Sequence, residues 1–231
     1  MSVVISDAWR QRFGGTARLY GEKALQCFAD AHVCVVGIGG VGSWAAEALA
    51  RSGIGQLTLI DLDDICITNT NRQIHALGNN YGKAKTLIMA ERLRSINPAC
   101  QVSAVERRVT PETLDELLAG DFDFIIDAID DVPAKISIVC ECDRLHIPVI
   151  SSMGTGNRLR PEMLEITDIY KTSVCHLARK IRKILKEKKI RHLPVVYSKE
   201  VPCKIVGEDH VPGSVSFVPP VSGMMMAGYA V

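Results

Sequence analysis

The stretch His32 to Arg51, HVCVVGIGGVGSWAAEALAR, constrains this chain most: a short apolar run meets Gly37, Gly39, Gly40 and Gly42 and passes straight into a helical pattern. A strand, a tight turn and a helix start in that order call for the opening of a βαβ unit. Glycines suit such a turn because a side chain would hold a phosphate off the backbone. The unpaired amides at the helix start, and the helix dipole, attract negative charge. The spacing Gly37-x-Gly39-x-x-Gly42 therefore points to a nucleotide, and Asp61, closing the next apolar run, is placed to hydrogen-bond a ribose. The competing reading of the same glycines is a turn that only lets a helix pack closely on a sheet.

The rest of the chain repeats the alternation. Strands are expected at His32 to Val36, Gln56 to Asp61, Gln101 to Arg107, Phe122 to Ala128 and Pro148 to Ser152. Helices are expected at Gly42 to Arg51, at Lys83 to Ser95 before Asn97-Pro98, at Pro111 to Ala119 and at Pro133 to Leu145. This is an α/β, Rossmann-like pattern: a mostly parallel sheet with helices on both faces, whose ligands sit at the carboxyl ends of the strands. At 231 residues and 47% hydrophobic content, one domain suffices to bury the core. Within it we expect an N-terminal helical arm (1–30), a nucleotide-binding core (31–153) and a C-terminal elaboration (154–231) for substrate and dimer contacts. That elaboration reads as a hairpin, a strongly basic helix, a short strand at Val195 to Ser198, a Pro/Gly-punctuated loop and a terminal apolar segment.

A net charge of +1 gives no whole-molecule argument for nucleic acid, so any basic surface must be local. The eight cysteines form no C-x-x-C pair, which argues against a zinc knot or a secreted disulfide scaffold and for reduced thiols in the cytoplasm. No run approaches the ~20 apolar residues needed to span a bilayer.

On the glycines and Asp61 alone NAD leads. The segment Asp61 to Lys85, DLDDICITNTNRQIHALGNNYGKAK, shifts the balance, because Asn69, Arg72, Gln73 and Lys85 have no task in hydride transfer. Cleaving ATP between its α and β phosphates develops charge on oxygens that cations must meet, and Arg72 and Lys85 can supply those cations. Asp130, in the run Asp127-Ala-Ile-Asp130-Asp131, offers a hard oxygen ligand for magnesium. Each has a plainer reading: a solvated loop charge for Arg72, a helix-surface lysine for Lys85, a helix cap for Asp130.

In order and spacing, GIGGVGSWAAEALAR, LTLIDLDD, TNTNRQ, GKAK and DAIDD resemble the ubiquitin-activating-enzyme-like superfamily that includes ThiF, MoeB and HesA. RFGGTARLYG, TNTNRQIHAL, TDIYKTSVCHLA and VVYSKE narrow the resemblance to its branch of tRNA threonylcarbamoyladenosine dehydratases, the TcdA (CsdL) group. The resemblance implies that Gly37, Gly39, Gly40 and Gly42 hold the ATP phosphates, Asp61 the ribose, Asn69, Arg72 and Lys85 the triphosphate, and Asp130 the magnesium ion. It also implies tRNA as client, a homodimer, and room for a cysteine desulfurase or other sulfur-relay partner. Two departures narrow it further. Gly15 stands where other members carry an arm arginine that reaches a partner's site, and the zinc-binding C-x-x-C pairs of many ubiquitin-like-protein activators are absent. Cys175 is the best candidate for an acyl relay, against a default reading as a small buried thiol.

From Arg179 to Arg191, RKIRKILKEKKIR, eight of thirteen residues are basic and one is acidic, while Leu177, Ile181, Ile184 and Leu185 recur at helical spacing. With a tRNA client implied, Arg179, Lys180, Arg182, Lys183 and Lys186 become phosphate contacts rather than a merely solvated face. The expected reaction is activation of the threonine carboxylate as an acyl-adenylate, then ring closure. The alternatives are an adenylating activator of a sulfur-carrier or ubiquitin-like protein and an NAD-dependent oxidoreductase.

Overall fold

The computed structural model describes residues 5–204 and 212–231. Its centre is the expected strand β1 (His32–Val36), whose uninterrupted apolar run suits a strand covered on both faces. Alternation divides the run: Val33 and Val35 join the larger apolar cluster, while Cys34 and Val36 face the opposite one. β2 (Gln56–Ile60), β3 (Gln101–Val105), β4 (Phe124–Asp127) and β5 (Val149–Ser152) follow as parallel neighbours. The sheet is completed by β6 (Leu164–Asp168) and β7 (Pro194–Ser198), in the order β3-β2-β1-β4-β5-β7-β6. The chain winds outward from β1 in both directions, so a crevice opens between the carboxyl ends of β1 and β4.

Three short helices, α1 (Asp7–Arg12), α2 (Gly14–Tyr20) and α3 (Glu22–Asp30), form the arm. Trp9 and Phe13 pack as tilted rings with centroids 4.7 Å apart and cover Gly53, whose φ of +95° ends the next helix. That helix, α4 (Gly42–Ser52), and α5 (Lys85–Ile96) cover one face of the sheet; α6 (Pro111–Leu117) and α7 (Val132–Leu145) cover the other.

Beyond β5 the structure departs from expectation in two places. No hairpin forms there among the described residues: β6 pairs antiparallel with β7, and α8 (His176–Glu187) lies between them in the chain. The terminal apolar segment is α9 (Val218–Ala230), and it packs internally. Its Gly223 lies so close to α4 that a Cβ there would overlap the carbonyl of Val41, and Met226 and Ala227 are buried, leaving Met224 and Tyr229 exposed. The middle of the expected Pro/Gly loop, 205–211, lies outside the described residues.

Candidate nucleotide site and its rim

The glycine turn is built by collision limits. Gly37 has φ of +88°, and a Cβ on it would lie 2.9 Å from the backbone of Ala128 at the end of β4; one on Gly42 would overlap the carbonyl of Gly37. Close packing by itself thus calls for glycine at positions 37 and 42. A Cβ on Gly40 would lie 3.0 Å from Cγ of Arg72, so that arginine's stem lies across the turn, whereas only the side chain of Gln73 stands within 4 Å of a Cβ on Gly39.

Asp61 leaves β2 and accepts from the Ile38 amide (2.6 Å) and the Asp63 amide (2.8 Å), fixing its carboxylate beside the turn with lone pairs to spare. Asn69 is partly structural: its Oδ1 accepts from the Cys66 amide (3.0 Å) and closes a short 3-10 turn, Ile67–Asn69. The Asn69 carbonyl then accepts from the amides of Arg72 (3.1 Å) and Gln73 (2.9 Å), while Trp44 of α4 donates to the Arg72 carbonyl at 2.9 Å. Arg72 Nη1 donates to Thr68 O (3.1 Å) and Asn71 Oδ1 (2.9 Å), an aimed half-buried cation rather than a loose loop charge. Lys85 is buried, with Nζ 2.6 Å from Asp63 and 3.9 Å from Asp61. Its surface-lysine reading is thereby excluded.

Asp130 is exposed and makes no hydrogen bond or ion pair among the described residues. The cap of α7 is its neighbour Asp131, which accepts from the Ala134 amide at 2.9 Å. That leaves the Asp130 carboxylate, carried on the loop against Gly37, available to a cation.

Several groups here were not assigned from sequence. Lys135 of α7 is fully buried and donates to Asp127 Oδ2 (2.7 Å) and Ser151 Oγ (3.0 Å), while Ser151 also donates to Asp127 at 2.6 Å. Its signal was a lysine on the core face of a helix, in step with Ile138, Val139 and Cys142. Gln73 Oε1 and both ring nitrogens of His75 are buried without a hydrogen-bond partner. Burial pushes the His75 pKa down to about 4, with Lys85 and Arg92 adding to the shift, so the ring is neutral.

The basic helix α8 starts at the same rim, where Gly154 faces Cys175 and Leu177. Arg179, Lys180, Lys183 and Lys186 are exposed. Arg182 is not free for RNA, since Nη1 donates to Thr172 O (2.9 Å), Thr172 Oγ1 (2.6 Å) and Ile169 O (3.3 Å). Cys175 is 5% exposed and its Sγ caps the helix by accepting from the Ala178 amide, which is the default reading of that thiol. Gly15 lies in α2 with nothing near it.

A family model described as the ThiF family matches residues 15–230. The chain belongs to the ThiF family. Among its ThiF relatives, the tRNA threonylcarbamoyladenosine dehydratase of Escherichia coli is 60% identical over 186 residues, 80% of this chain and 69% of the relative. The Bacillus subtilis protein of the same name is 40% identical over 227 residues, 91% of this chain and 89% of the relative. A crystal structure of the E. coli dehydratase, TcdA, in complex with ATP matches with a TM-score of 0.94 at 49% identity, covering 99% of this chain and 95% of that one.

Proposed function

We propose that this chain is an ATP-dependent tRNA threonylcarbamoyladenosine dehydratase. The observation that carries the reading is the likeness to an ATP-bound dehydratase over nearly the whole chain. The glycine turn, Asp61, Arg72, Lys85 and Asp130 gather at the carboxyl ends of β1, β2 and β4, where an open sheet of this winding binds ligands.

Gly37, Gly39, Gly40 and Gly42 receive the phosphates, Asp61 the ribose, and Asn69, Arg72 and Lys85 the triphosphate. An oxygen of the threonine carboxylate attacks the α-phosphorus and pyrophosphate leaves. A nucleophile of the same modified nucleoside then attacks the acyl carbon and displaces AMP, which keeps that oxygen. The nucleoside thus loses the elements of water, and proximity speeds ring closure without an enzyme nucleophile. Arg72 and Lys85 stabilise the charge that builds on the phosphates, Lys85 exchanging Asp63 for a phosphate oxygen. Asp130, without a partner among the described residues, is a fitting ligand for magnesium, which would offset phosphate charge. An oxidoreductase would leave these cations idle.

Arg179, Lys180, Lys183 and Lys186 make backbone contacts that position the tRNA. A second copy of the chain would cover Met224 and Tyr229, and light scattering tests this. No helix among the described residues is long and apolar enough to cross a membrane, which fits a cytoplasmic enzyme. A sulfur-relay partner such as a cysteine desulfurase is tested by transfer of labelled sulfur to the chain.

The deciding experiment is incubation with ATP, magnesium and bulk tRNA carrying threonylcarbamoyladenosine, followed by mass analysis of the nucleosides. The expected result is ATP-dependent loss of one water with release of AMP. An unchanged nucleoside overturns the reading. Pyrophosphate exchange with a Gly-Gly-tailed carrier in its place would favour the sulfur-carrier activator.

A further inference from the structure

Arg158 lies in the loop that leaves the carboxyl end of β5. It is 3% exposed, and its side chain has no hydrogen bond or ion pair among the described residues, Nε being enclosed without an acceptor. A guanidinium cannot shed its proton to escape burial. A buried charge without a partner works against the fold, and a counter-charge supplied from outside the chain relieves that cost. Among the described residues, a carboxylate beside this loop is spent elsewhere. Glu200, itself buried, accepts from the amides of Leu159 (3.1 Å) and Arg160 (3.0 Å).

The loop around Arg158 is held firmly. Asn157 donates its amide to Gly213 O (2.8 Å), its Oδ1 accepts from the Gly213 amide (2.7 Å), and its carbonyl accepts from the Cys203 amide (2.8 Å). The next residue, Ser214, accepts from Asn71 Nδ2 at 3.0 Å, and Asn71 Oδ1 accepts from Arg72 at 2.9 Å. An unbroken chain of bonded residues thus joins the loop of Arg158 to the cation assigned to the triphosphate. The uncompensated charge belongs to the same end of the sheet.

A guanidinium calls for an oxyanion, and the reaction brings one to this end of the sheet. A carboxylate approaching a polyphosphate is repelled, and a buried cation that meets it offsets the repulsion and fixes its orientation; a planar carboxylate also matches the guanidinium fork. We propose that Arg158 is the anchor for the threonine carboxylate of the modified adenosine, and so the residue that distinguishes modified from unmodified tRNA. The inference rests on the function proposed above. An RNA phosphate offers the same oxyanion chemistry from a second source.

The test measures binding of tRNA with and without threonylcarbamoyladenosine, with a non-hydrolysable ATP analogue present, to the wild-type chain and to Arg158→Gln. We expect the wild type to prefer modified tRNA by about tenfold or more, and Arg158→Gln to lose that preference with its affinity for the analogue intact. The KM for modified tRNA should rise in step, with Arg158→Lys recovering part of it. Arg158→Met should melt at or above the wild-type temperature, because it removes an unpaired buried charge. A fall of several degrees would make the arginine structural and overturn the proposal, as would a retained preference. Equal weakening toward both tRNAs, with a shallower salt dependence, would assign Arg158 to an RNA phosphate and overturn the carboxylate assignment. Dehydration by a wild type whose Arg158→Gln variant binds and turns over unchanged fails this inference alone. A wild type that dehydrates nothing fails the function, and this inference falls with it.

Discussion

Two cations are buried near the carboxyl ends of the strands, and the chain treats them in opposite ways. Lys135, under the nucleotide crevice, has a carboxylate and a hydroxyl within 3.0 Å and closes a triad with Asp127 and Ser151. Arg158, in the loop beyond β5, has neither among the described residues. The first completes the fold by itself, pinning the strand end that carries the Asp130 loop. The second is complete only with something added. The triad beneath the nucleotide crevice has its polar contacts in place before any ligand arrives, whereas the loop beyond β5 holds charge in reserve.

The sharpest break of that comparison is Lys135→Met. It leaves Asp127 as an uncompensated charge at full burial and should cost about 3 to 5 kcal/mol in denaturant unfolding, whereas Arg158→Met costs nothing. If the two variants lose equal stability, the distinction between a structural and a reserved cation collapses. Next come Arg72→Ala and Asp130→Ala, neither of which is enclosed. Both should cut AMP production by about two to three orders of magnitude with unfolding midpoints near wild type. Near-normal turnover in either would remove that residue from the chemistry.

His75 extends the comparison to pH. Its folded pKa near 4 lies below the ordinary 6.5, so the unfolded chain binds the extra proton first. The stability held by the neutral ring is present above pH 6.5 and is lost as pH falls toward 4. Between pH 7 and 5 the loss should be about 2 kcal/mol, and His75→Leu should flatten that part of the profile. An identical pH dependence in the variant would show that other groups carry it.

How much of this was legible in the sequence follows from range. β1, the glycine turn and α4 are neighbours in the chain, so their order and apolar period placed them within a residue of the observed ends. Asp130 and Asp131 could not be told apart until the helix start was fixed, because either spacing can cap. The partner of β6 was misjudged because it comes after α8: local signals favour a hairpin, and only long-range pairing decides. Arg158 looks like any other surface cation in a one-dimensional reading, and Lys135 differs from one only by its place on the core face of a helix. Their meaning lies in burial, which depends on segments distant in the chain.

The same distinction runs along α8, where one sequence run contains both kinds of cation. Lys180, Lys183 and Lys186 are exposed, whereas Arg182 holds the turn at Thr172 with a bond of 2.6 Å to its hydroxyl. If the exposed lysines meet RNA phosphates, each released counterion adds about 0.7 to 0.9 to the slope of log affinity against log salt. Replacing all three by Gln should therefore lower that slope by about 2, with thermal stability unchanged. Arg182→Gln should do the reverse, loosening the turn at about 1 to 3 kcal/mol while the salt slope stays close to wild type. Exchanged outcomes would mean that the exposed face of α8 is only solvated and that the RNA reaches Arg182 by opening the turn.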